Sequence, residues 1–341
     1  MKDPRPALVR DPRFGEHIAP QGHPERGERL LAVDRGVAPL ADQFASVEPR
    51  FASDEEILRV HHPDHLAALR AVAGRRAQLD PDTYASERSY DVARLAAGSA
   101  VDLALRIARG DSPRGFALVR PPGHHAEANG PKGFCLLNQI AIAARALRAD
   151  AGIERVAVVD IDVHHGNGTQ HSFESERDVL FLSSHQFPFY PGTGALAERG
   201  HGAGHRSTVN LPLPAGCGDA EYLRVYHEIA LPLLRDFRPE IVLVSAGFDA
   251  HMLDPLASMQ VTTEGFAALV GMLRGLADEV CGGRLLLTLE GGYDLSALED
   301  TVRRVAEVLL EQKLEPVSPP DPTPAARDLL ALFREAHVAS A

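Results

Sequence analysis

Two carboxylates and an imidazole alternate in the segment Asp160-Ile161-Asp162-Val163-His164, directly after the apolar run Val156–Val159. In an extended chain, side chains at i, i+2 and i+4 share a face, so Asp160, Asp162 and His164 are expected to point the same way. Two acids and an imidazole at the end of an apolar strand are costly to desolvate unless a cation compensates them. Carboxylate oxygen and imidazole nitrogen are both ligands of Zn²⁺. The segment therefore predicts a metal site rather than a hydrogen-bonded turn.

A third ligand has to come from another part of the chain, because a catalytic zinc usually has three protein ligands and one open position. Asp249 is the best candidate, since the buried-strand pattern Ile241–Ala246 runs directly into it. Asp254 precedes a proline and is more typical of a turn residue, but the sequence leaves it open as an alternative ligand.

Two adjacent histidines, His124 and His125, follow a stiff Pro-Pro-Gly turn after an apolar run. Histidine is suited to taking a proton from a metal-bound water near neutral pH. A histidine in that role needs an acceptor on its other ring nitrogen, and Asp160 and Asn167 are the available candidates. The other adjacent pair, His61-His62, is expected to be an exposed polar pair.

Tyr293 follows Gly291-Gly292 at the end of another apolar run. A phenol there could donate a hydrogen bond to the oxyanion of a tetrahedral intermediate. Taken alone the Gly-Gly-Tyr triplet is typical of an ordinary turn, and its weight comes from the clusters that accompany it.

The elements that must position these residues are short apolar strands alternating with helices, a pattern that predicts an α/β fold with a parallel sheet. Ligands of such sheets lie beyond the carboxyl ends of the strands, where these polar clusters occur. The predicted strands are Phe116–Arg120, Val156–Val163, Val179–Ser183, Ile241–Ala246 and Leu285–Glu290. The predicted helices are Asp91–Arg109, Asn138–Ala149, Ala220–Phe237, Thr263–Cys281 and Ser296–Gln312, and a long loop is predicted over Gly192–Arg206.

The bulk properties are those of a globular protein, with 45% hydrophobic and 24% charged residues. Lys and Arg number 35 and Asp and Glu 47, so the formal charge of −12 disfavours a nucleic-acid partner. The cysteines Cys135, Cys217 and Cys281 form no C-x-x-C pair, which fits a reducing compartment. The charged, proline-rich start of the chain does not look like a signal peptide, and no run of about 18 apolar residues predicts a membrane span. We expect a cytoplasmic protein with no membrane partner.

Six motifs in order resemble the signature of the histone deacetylases and of the related bacterial amidohydrolases, including the acetylpolyamine amidohydrolases. Their order and spacing agree from about His17 to Gln312, most of the chain. The motifs are Arg120-Pro-Pro-Gly-His-His-Ala126, Gly133-Phe-Cys-Leu-Leu-Asn138, Asp160-Ile-Asp-Val-His-His-Gly-Asn-Gly-Thr169, Tyr190-Pro-Gly-Thr-Gly194, Ser245-Ala-Gly-Phe-Asp-Ala250 and Leu289-Glu-Gly-Gly-Tyr293.

The resemblance implies an arginase-like single domain over 1–341, with a central eight-stranded parallel sheet flanked by helices. The Pro-rich segment and a short helix (325–336) would complete it within 313–341. One Zn²⁺ per chain would be held by Asp162, His164 and Asp249, in agreement with the residue chemistry. His124 and His125 would be the catalytic pair, with Asp160 behind His124 and Asn167 behind His125. Tyr293 would polarise the scissile carbonyl.

The resemblance also implies a narrow substrate tunnel and structural potassium ions. Phe134 and Tyr190 would line the tunnel for an acyl-lysine, with Gly133 beside them. A K⁺ site would use Asp160, Asp162, His164 and Ser183, and the backbone around Phe173 would hold a second ion. Leu256 stands where a polyamine-selective relative has Glu, and an apolar residue there favours acyl-lysine.

The favoured function is a zinc-dependent deacetylase acting on a small-molecule or peptide acyl-amine, most of all acyl-lysine. The alternatives left open are an acetylpolyamine amidohydrolase, a short-chain esterase activity of the same site, and a protein that binds acylated ligands without cleaving them. A two-metal arginase-type hydrolase is disfavoured because the sequence shows a single three-ligand set. The acyl preference, the native metal (Zn²⁺ or Fe²⁺) and a homo-oligomeric state are not readable from the sequence.

Overall fold

A computed structural model describes residues 5–315 and 317–338. A parallel eight-stranded sheet lies at the centre of the fold. The remaining residues of the predicted domain, including Pro316 in the predicted Pro-rich segment, lie outside this description. The strands are β1 Ala7–Val9, β2 Ala45–Ser46, β3 Ala77–Asp80, β4 Thr83–Ala85, β5 Arg114–Ala117, β6 Val156–Asp160, β7 Val179–Gln186, β8 Thr208–Leu213, β9 Ile241–Ala246 and β10 Leu285–Leu289.

The order of the strands across the sheet is β2-β1-β5-β10-β9-β6-β7-β8, and each neighbouring pair is parallel. The strand β10, the last in the chain, therefore fills the middle of the sheet between β5 and β9. The strands β3 and β4 form a separate antiparallel pair.

Helices cover both faces of the sheet. They are α1 Glu28–Val37, α2 Asp54–Leu58, α3 Pro63–Ala71, α4 Ser89–Arg109, α5 Gln139–Asp150, α6 Asn167–Phe173, α7 Asp219–Val225, α8 Leu231–Phe237, α9 Thr263–Cys281, α10 Leu295–Leu310 and α11 Pro324–Phe333. Short 3₁₀ segments occur at Pro12–Glu16, Ala38–Gln43 and Gly202–Gly204, and π turns at Tyr226–Ala230 and Arg334–Val338.

The two hydrophobic cores follow from the alternation of side chains along each strand. In β6, Val156 and Val158 pack into the core shared with α4 and α5, whereas Ala157 and Val159 pack into the core shared with α9 and α10. Both faces of the strand are fully buried, which explains why its sequence is continuously apolar. The predicted α/β architecture with its eight-stranded parallel sheet is confirmed.

The predicted bounds agree with the structure where the pattern is long and well capped. The helix α9 has the predicted limits, since the Thr262 side chain accepts the N–H of Gly265 at its start and Gly282 adopts φ +63° at its end. The predicted helix 220–237 is one helical stretch in which a π turn precedes Pro232, a residue without a backbone donor. The C-terminal helix begins at Pro324 and packs on α7.

The end of β6 was predicted wrongly. The strand stops at Asp160 rather than Val163, because nearby carboxylates capture the next backbone donors. Asp160 Oδ1 accepts the N–H of Asp162 at 3.1 Å, and Asp162 Oδ1 accepts that of His164 at 2.9 Å. The chain turns here, yet Asp162 and His164 still lie side by side, with Asp162 Oδ1 3.1 Å from His164 Nδ1.

The other predicted strands differ by smaller shifts. β5 occupies 114–117 rather than 116–120, β7 continues to Gln186, and β10 ends at Leu289. The short strands β1 and β2 and the edge strand β8 were not predicted. Pro212 interrupts the apolar run of β8, and a proline is tolerated there because the strand has a neighbour on one side only.

Candidate active site

Four adjacent strands carry the polar clusters at their carboxyl ends. The loops after β5, β10, β9 and β6 contribute His124 and His125, Tyr293, Asp249, and Asp162 with His164 respectively. Because the four strands are neighbours in the sheet, residues far apart in sequence meet at one edge of it, as open α/β sheets require of a binding site.

Asp162, His164 and Asp249 form a cluster that could hold a metal ion, and a ligand atom of each lies within 4.8 Å of the others. His164 Nδ1 lies 3.1 Å from Asp162 Oδ1 and 3.1 Å from Asp249 Oδ2. Ligands about 2.0 Å from a tetrahedral zinc are separated by about 3.3 Å, so the donor set and its spacing fit Zn²⁺.

The second oxygen of each carboxylate is held by the backbone. Asp162 Oδ2 accepts the N–H of Gly291 at 2.9 Å, and Asp249 Oδ1 accepts the N–H of Val163 at 2.8 Å. These bonds leave Asp162 Oδ1 and Asp249 Oδ2 facing the imidazole. A Cβ at position 291 would lie 2.1 Å from Asp249 Oδ2, so only glycine allows the loop after β10 to approach this closely.

The electrostatics of the cluster favour a bound cation. Burial opposes a charge on His164, but its hydrogen bonds with Asp162 and Asp249 outweigh burial and raise its pKa to about 10. Burial, reinforced by the charge of Asp162, raises the pKa of Asp249. Two buried carboxylates face a single imidazole, so the cluster carries excess negative charge that a bound cation would neutralise.

The two adjacent histidines have different partners and opposite electrostatics. His124 Nδ1 lies 2.9 Å from Asp160 Oδ2, His125 Nδ1 lies 2.7 Å from Asn167 Oδ1, and the ring centroids are 4.0 Å apart. Burial disfavours charge on His124, but Asp160 and Asp162 raise its pKa well above the usual value. Burial and the neighbouring His124 lower the pKa of His125 well below it. The surroundings therefore favour the charged form of His124 and the neutral form of His125.

A cavity of about 130 Å³ opens above these groups. Tyr293 is buried in its wall, with the ring edge-on to Phe134 at a centroid distance of 5.9 Å. The Tyr190 ring stands edge-on to His125 at 5.2 Å. The cavity is lined by Asp82, His125, Gly133, Phe134, His164, Tyr190, Leu256 and Tyr293. All four residues that were predicted to bind the substrate are among them.

Two residues around the cavity were not predicted. Asp82, between β3 and β4, puts a carboxylate on the wall and accepts the N–H of Gly133 at 3.2 Å. Phe189 stacks on His164 with ring centroids 5.5 Å apart. Neither belongs to a recognisable motif, because each acquires its place through a contact distant in sequence.

The alternative ligand Asp254 lies outside the metal cluster. Its Oδ2 accepts the N–H of Tyr293 at 2.6 Å and its Oδ1 that of Leu256 at 3.0 Å. Asp254 therefore acts as the turn residue that the sequence favoured, and it ties the tyrosine loop to the loop that carries Leu256.

The prediction that His61-His62 is an exposed pair was wrong for its first member. His61 is buried, its Nε2 accepts the N–H of Asn138 at 2.9 Å, and its Nδ1 faces the carbonyl of Glu127 at 2.9 Å. His62 is exposed and caps α3.

A second buried group, His124, Cys135 and Glu290, also brings three potential ligand atoms together. The sequence had shown a single three-ligand set. Glu290 Oε2 accepts the N–H groups of Gly123 at 2.6 Å and His124 at 3.2 Å, and burial raises its pKa to about 8. Cys135, Cys217 and Cys281 are all buried and carry free thiols.

Two of the residues predicted to bind potassium, Asp162 and His164, belong to the metal cluster itself. Ser183 is the β7 neighbour of Asp160, and its hydroxyl lies 2.9 Å from His185 Nδ1. Phe173 ends α6, and its carbonyl accepts the N–H of Glu176 at 2.8 Å. The potassium sites stay a prediction.

Residues 22–309 match the family described as Histone deacetylase domain. Histone deacetylase 14, chloroplastic, of Arabidopsis thaliana is 47% identical over 315 residues, which cover 85% of this chain and 73% of that protein. A "Probable deacetylase" of Archaeoglobus fulgidus is 39% identical over 293 residues, 84% of this chain and 81% of that protein. The crystal structure of the HDA15 HD domain superposes with a TM-score of 0.92 at 37% identity, covering 98% of this chain and 94% of that one.

The comparisons leave the compartment untested, since a relative named as chloroplastic stands among them. Within 5–315 and 317–338, none of the helices has the length and apolar character needed to cross a bilayer. The cytoplasmic placement and the oligomeric state stay predictions, as do the limits 1–341 of the domain.

Proposed function

The chain belongs to the histone deacetylase family, and from this premise we propose that it is a zinc-dependent deacetylase that hydrolyses the amide of an N-acylated amine, with acyl-lysine as the favoured substrate. One observation carries the proposal. The cluster Asp162, His164 and Asp249 lies beside two adjacent histidines, each with its own hydrogen-bond acceptor, at the base of a small cavity. A metal-dependent amide hydrolase combines a cation site, a base and a group that stabilises the developing negative charge.

The zinc would be held by Asp162 Oδ1, His164 Nδ1 and Asp249 Oδ2, one ion per chain. When bound, it supplies a Lewis acid that polarises the carbonyl and makes water a nucleophile near neutral pH. The backbone bonds to the remaining carboxylate oxygens support this assignment, since they keep the ligand atoms turned toward one another.

His125 would act as the general base and then as the general acid. The lowered pKa favours the neutral ring, whose unprotonated nitrogen would take a proton from the attacking water and return it to the leaving amine. His124 stays charged through Asp160 and stabilises the negative charge that develops beside it. The Tyr293 hydroxyl would donate a hydrogen bond to the carbonyl oxygen as it becomes an oxyanion.

The cavity walls support a narrow acyl-amine substrate. Phe134 and Tyr190 would contact the aliphatic stem, with Gly133 leaving room between them, and Leu256 would add an apolar surface. An acetylpolyamine is the second candidate, because the Asp82 carboxylate on the same wall could pair with a substrate ammonium group as well as accept a peptide N–H.

The structural K⁺ ions form a further part of the proposal. Asp160, Asp162, His164 and Ser183 would bind one ion and the backbone around Phe173 the other. The position of Ser183 beside Asp160 in the sheet supports the first site.

The test is acetate release by the purified protein after loading with one equivalent of Zn²⁺, compared with chelated protein. Acetyl-lysine peptides, N-acetylputrescine and N-acetylspermidine are assayed in parallel. We expect turnover of the peptide that depends on zinc, with one metal per chain. Faster turnover of the polyamines would select the second candidate, and tight hydroxamate binding without any turnover would indicate a non-catalytic binding protein. Two bound manganese ions would contradict the proposal.

A further inference from the structure

A chain of hydrogen bonds runs from His125 to the protein surface. Asn167 Oδ1 lies 2.7 Å from His125 Nδ1, and Asn167 Nδ2 donates to Glu127 Oε1 and, at 3.2 Å, to the carbonyl of His125. Both oxygens of Glu127 lie 3.0 Å from His171 Nδ1. We propose that Glu127 is a positioning residue that, through Asn167, holds His125 in the tautomer required of a base; this inference rests on the proposed function.

The orientation of the Asn167 amide decides which ring nitrogen of His125 carries the proton. An amide has a donor end and an acceptor end, and its direction follows from its partners. The Nδ2 end faces two acceptors, Glu127 and the carbonyl of His125, so the oxygen has to face His125 Nδ1. The Nδ1 atom then carries the proton, and Nε2 keeps the lone pair that a base needs.

Glu127 is the stronger of the two acceptors that fix this amide, because its carboxylate is charged. Burial disfavours ionisation, but the hydrogen bonds from His171 and Asn167 outweigh burial and lower the pKa of Glu127. Without that carboxylate the amide would keep only a neutral carbonyl as acceptor. A reversed amide would then donate to His125 Nδ1, select the other tautomer and place a proton on the nitrogen that should accept one.

Hydrogen bonds also fix the backbone of Glu127. Its N–H bonds the carbonyl of Gly130 at 2.9 Å, and its own carbonyl faces Nδ1 of the buried His61 at 2.9 Å. His171, on helix α6, bonds both oxygens of the carboxylate at 3.0 Å, and this hydrogen bond raises the pKa of His171. The carboxylate is therefore held in place by a second partner besides Asn167.

A carboxylate at position 167 would need a hydrogen-bond donor at position 127, where Glu127 now supplies an acceptor. It could accept from His125 without help, but it would face Glu127 as a second negative charge at hydrogen-bond distance. Asn167→Asp should therefore be harmful beside Glu127 and tolerated beside Gln, whose amide can donate to the new carboxylate. This reciprocal relation is specific to a positioning role and is not expected of two independent structural residues.

The experiment is a double-mutant cycle with Glu127→Gln, Asn167→Asp and the double variant, together with Glu127→Ala. It is read as kcat and KM on an acetyl-lysine peptide over a range of pH, with zinc content checked. We expect Glu127→Ala and Asn167→Asp each to lower kcat about 10-fold with little change in KM, and the double variant to recover most of that loss. Glu174→Gln is the matched control, because Glu174 pairs with His201 instead, and it should behave as wild type.

A second measurement does not depend on turnover. The ¹⁵N chemical shifts of the His125 ring, assigned by their loss in His125→Gln, report the tautomer directly. We expect an Nδ1–H tautomer in the wild type and a mixture in Glu127→Ala. The inference would be overturned if the losses in kcat of Glu127→Gln and Asn167→Asp simply multiplied in the double variant. An unchanged tautomer in Glu127→Ala would overturn it as well. A wild type that holds the Nδ1–H tautomer but hydrolyses no amide would refute the proposed function and leave the inference standing.

Discussion

The carboxylate of Asp254 accepts the backbone N–H of Tyr293 at 2.6 Å. The same side chain holds Leu256 through its other oxygen. The loop that presents the phenol and the loop that forms the apolar wall of the cavity therefore share one anchor, although 39 positions separate Asp254 from Tyr293.

Replacing this anchor should impair turnover without removing the metal. We expect Asp254→Ala to lower kcat about 10-fold, because a small displacement of Tyr293 weakens its alignment with the substrate carbonyl. Asp254→Asn retains an acceptor oxygen and should lose less. Steady-state kinetics with zinc analysis checks this, and zinc loss in Asp254→Ala would instead indicate a role as ligand.

Removing the hydroxyl of Tyr293 should lower kcat further than replacing Asp254 does. Tyr293→Phe is expected to lower kcat by about 10²–10³ with zinc still bound, as for the loss of an oxyanion donor. Tyr90→Phe removes a hydroxyl that accepts a bond from Arg70 and is the control. Full activity of Tyr293→Phe on acetyl-lysine would refute the assigned role.

A methyl group at position 291 should weaken metal binding. In Gly291→Ala the new Cβ would lie 2.1 Å from Asp249 Oδ2 and 2.7 Å from Asp162 Oδ2, so both carboxylates would have to move. We expect zinc affinity to fall at least about 10-fold by competition with a chelator. Gly275→Ala, at an exposed position of α9 with nothing within 4 Å, should keep the affinity and stabilise the protein by about 0.5–1 kcal/mol.

The buried ion pair of Arg120 and Glu25 should be important for stability. Arg120 Nη2 donates to Glu25 Oε2 at 2.8 Å, and both side chains are fully buried. Arg120→Leu would leave a buried carboxylate with only Arg29 as its charged partner, so we expect a loss of about 3–5 kcal/mol in the free energy of unfolding. Denaturant titration measures it. Combining Arg120→Leu with Glu25→Gln should recover part of the loss, and additive effects would argue against the pairing.

Acidification should destabilise the fold through its buried histidines. Burial lowers the pKa of His17, His61 and His185 to about 3 each. Unfolding restores a pKa near 6.5, so below pH 6.5 the unfolded chain binds more protons and stability falls as pH drops toward 3. Thermal unfolding at pH 7.5, 6 and 5 should show this decline. It should be shallower in His17→Gln and unchanged in a variant of the exposed His62.

The parts of the fold that could be predicted are those in which a local pattern determines the outcome. The strand Ile241–Ala246 and the helix Thr263–Cys281 have the predicted bounds, because each is a long run with a clear end signal. Strands of two or three residues, such as Ala45–Ser46, have no periodicity to detect. Their place is decided by the neighbours that they pair with.

The residues of the candidate site also fall into those that a local pattern predicts and those that it does not. Asp162, His164 and Asp249 could be grouped from residue chemistry and spacing, and the structure brings them together. Asp82 and Glu127 could not, because an isolated acid in a loop has no signature until the chain folds against it. The resemblance predicted Asn167 behind His125, and the structure places Asn167 Oδ1 2.7 Å from His125 Nδ1. The bond from Asn167 to Glu127, 40 positions away, is encoded by no local pattern.

The position of β10 has a consequence for how the molecule is made. During synthesis the segments that form β1, β2 and β5, and those that form β6 to β9, emerge before the strand that joins them. Until Leu289 has left the ribosome, two half-sheets would each expose an unpaired edge, β5 in one and β9 in the other, along the future centre of the protein. The newly made chain is therefore most vulnerable to wrong pairing late in translation, and completion of its last strand is the step that removes the risk.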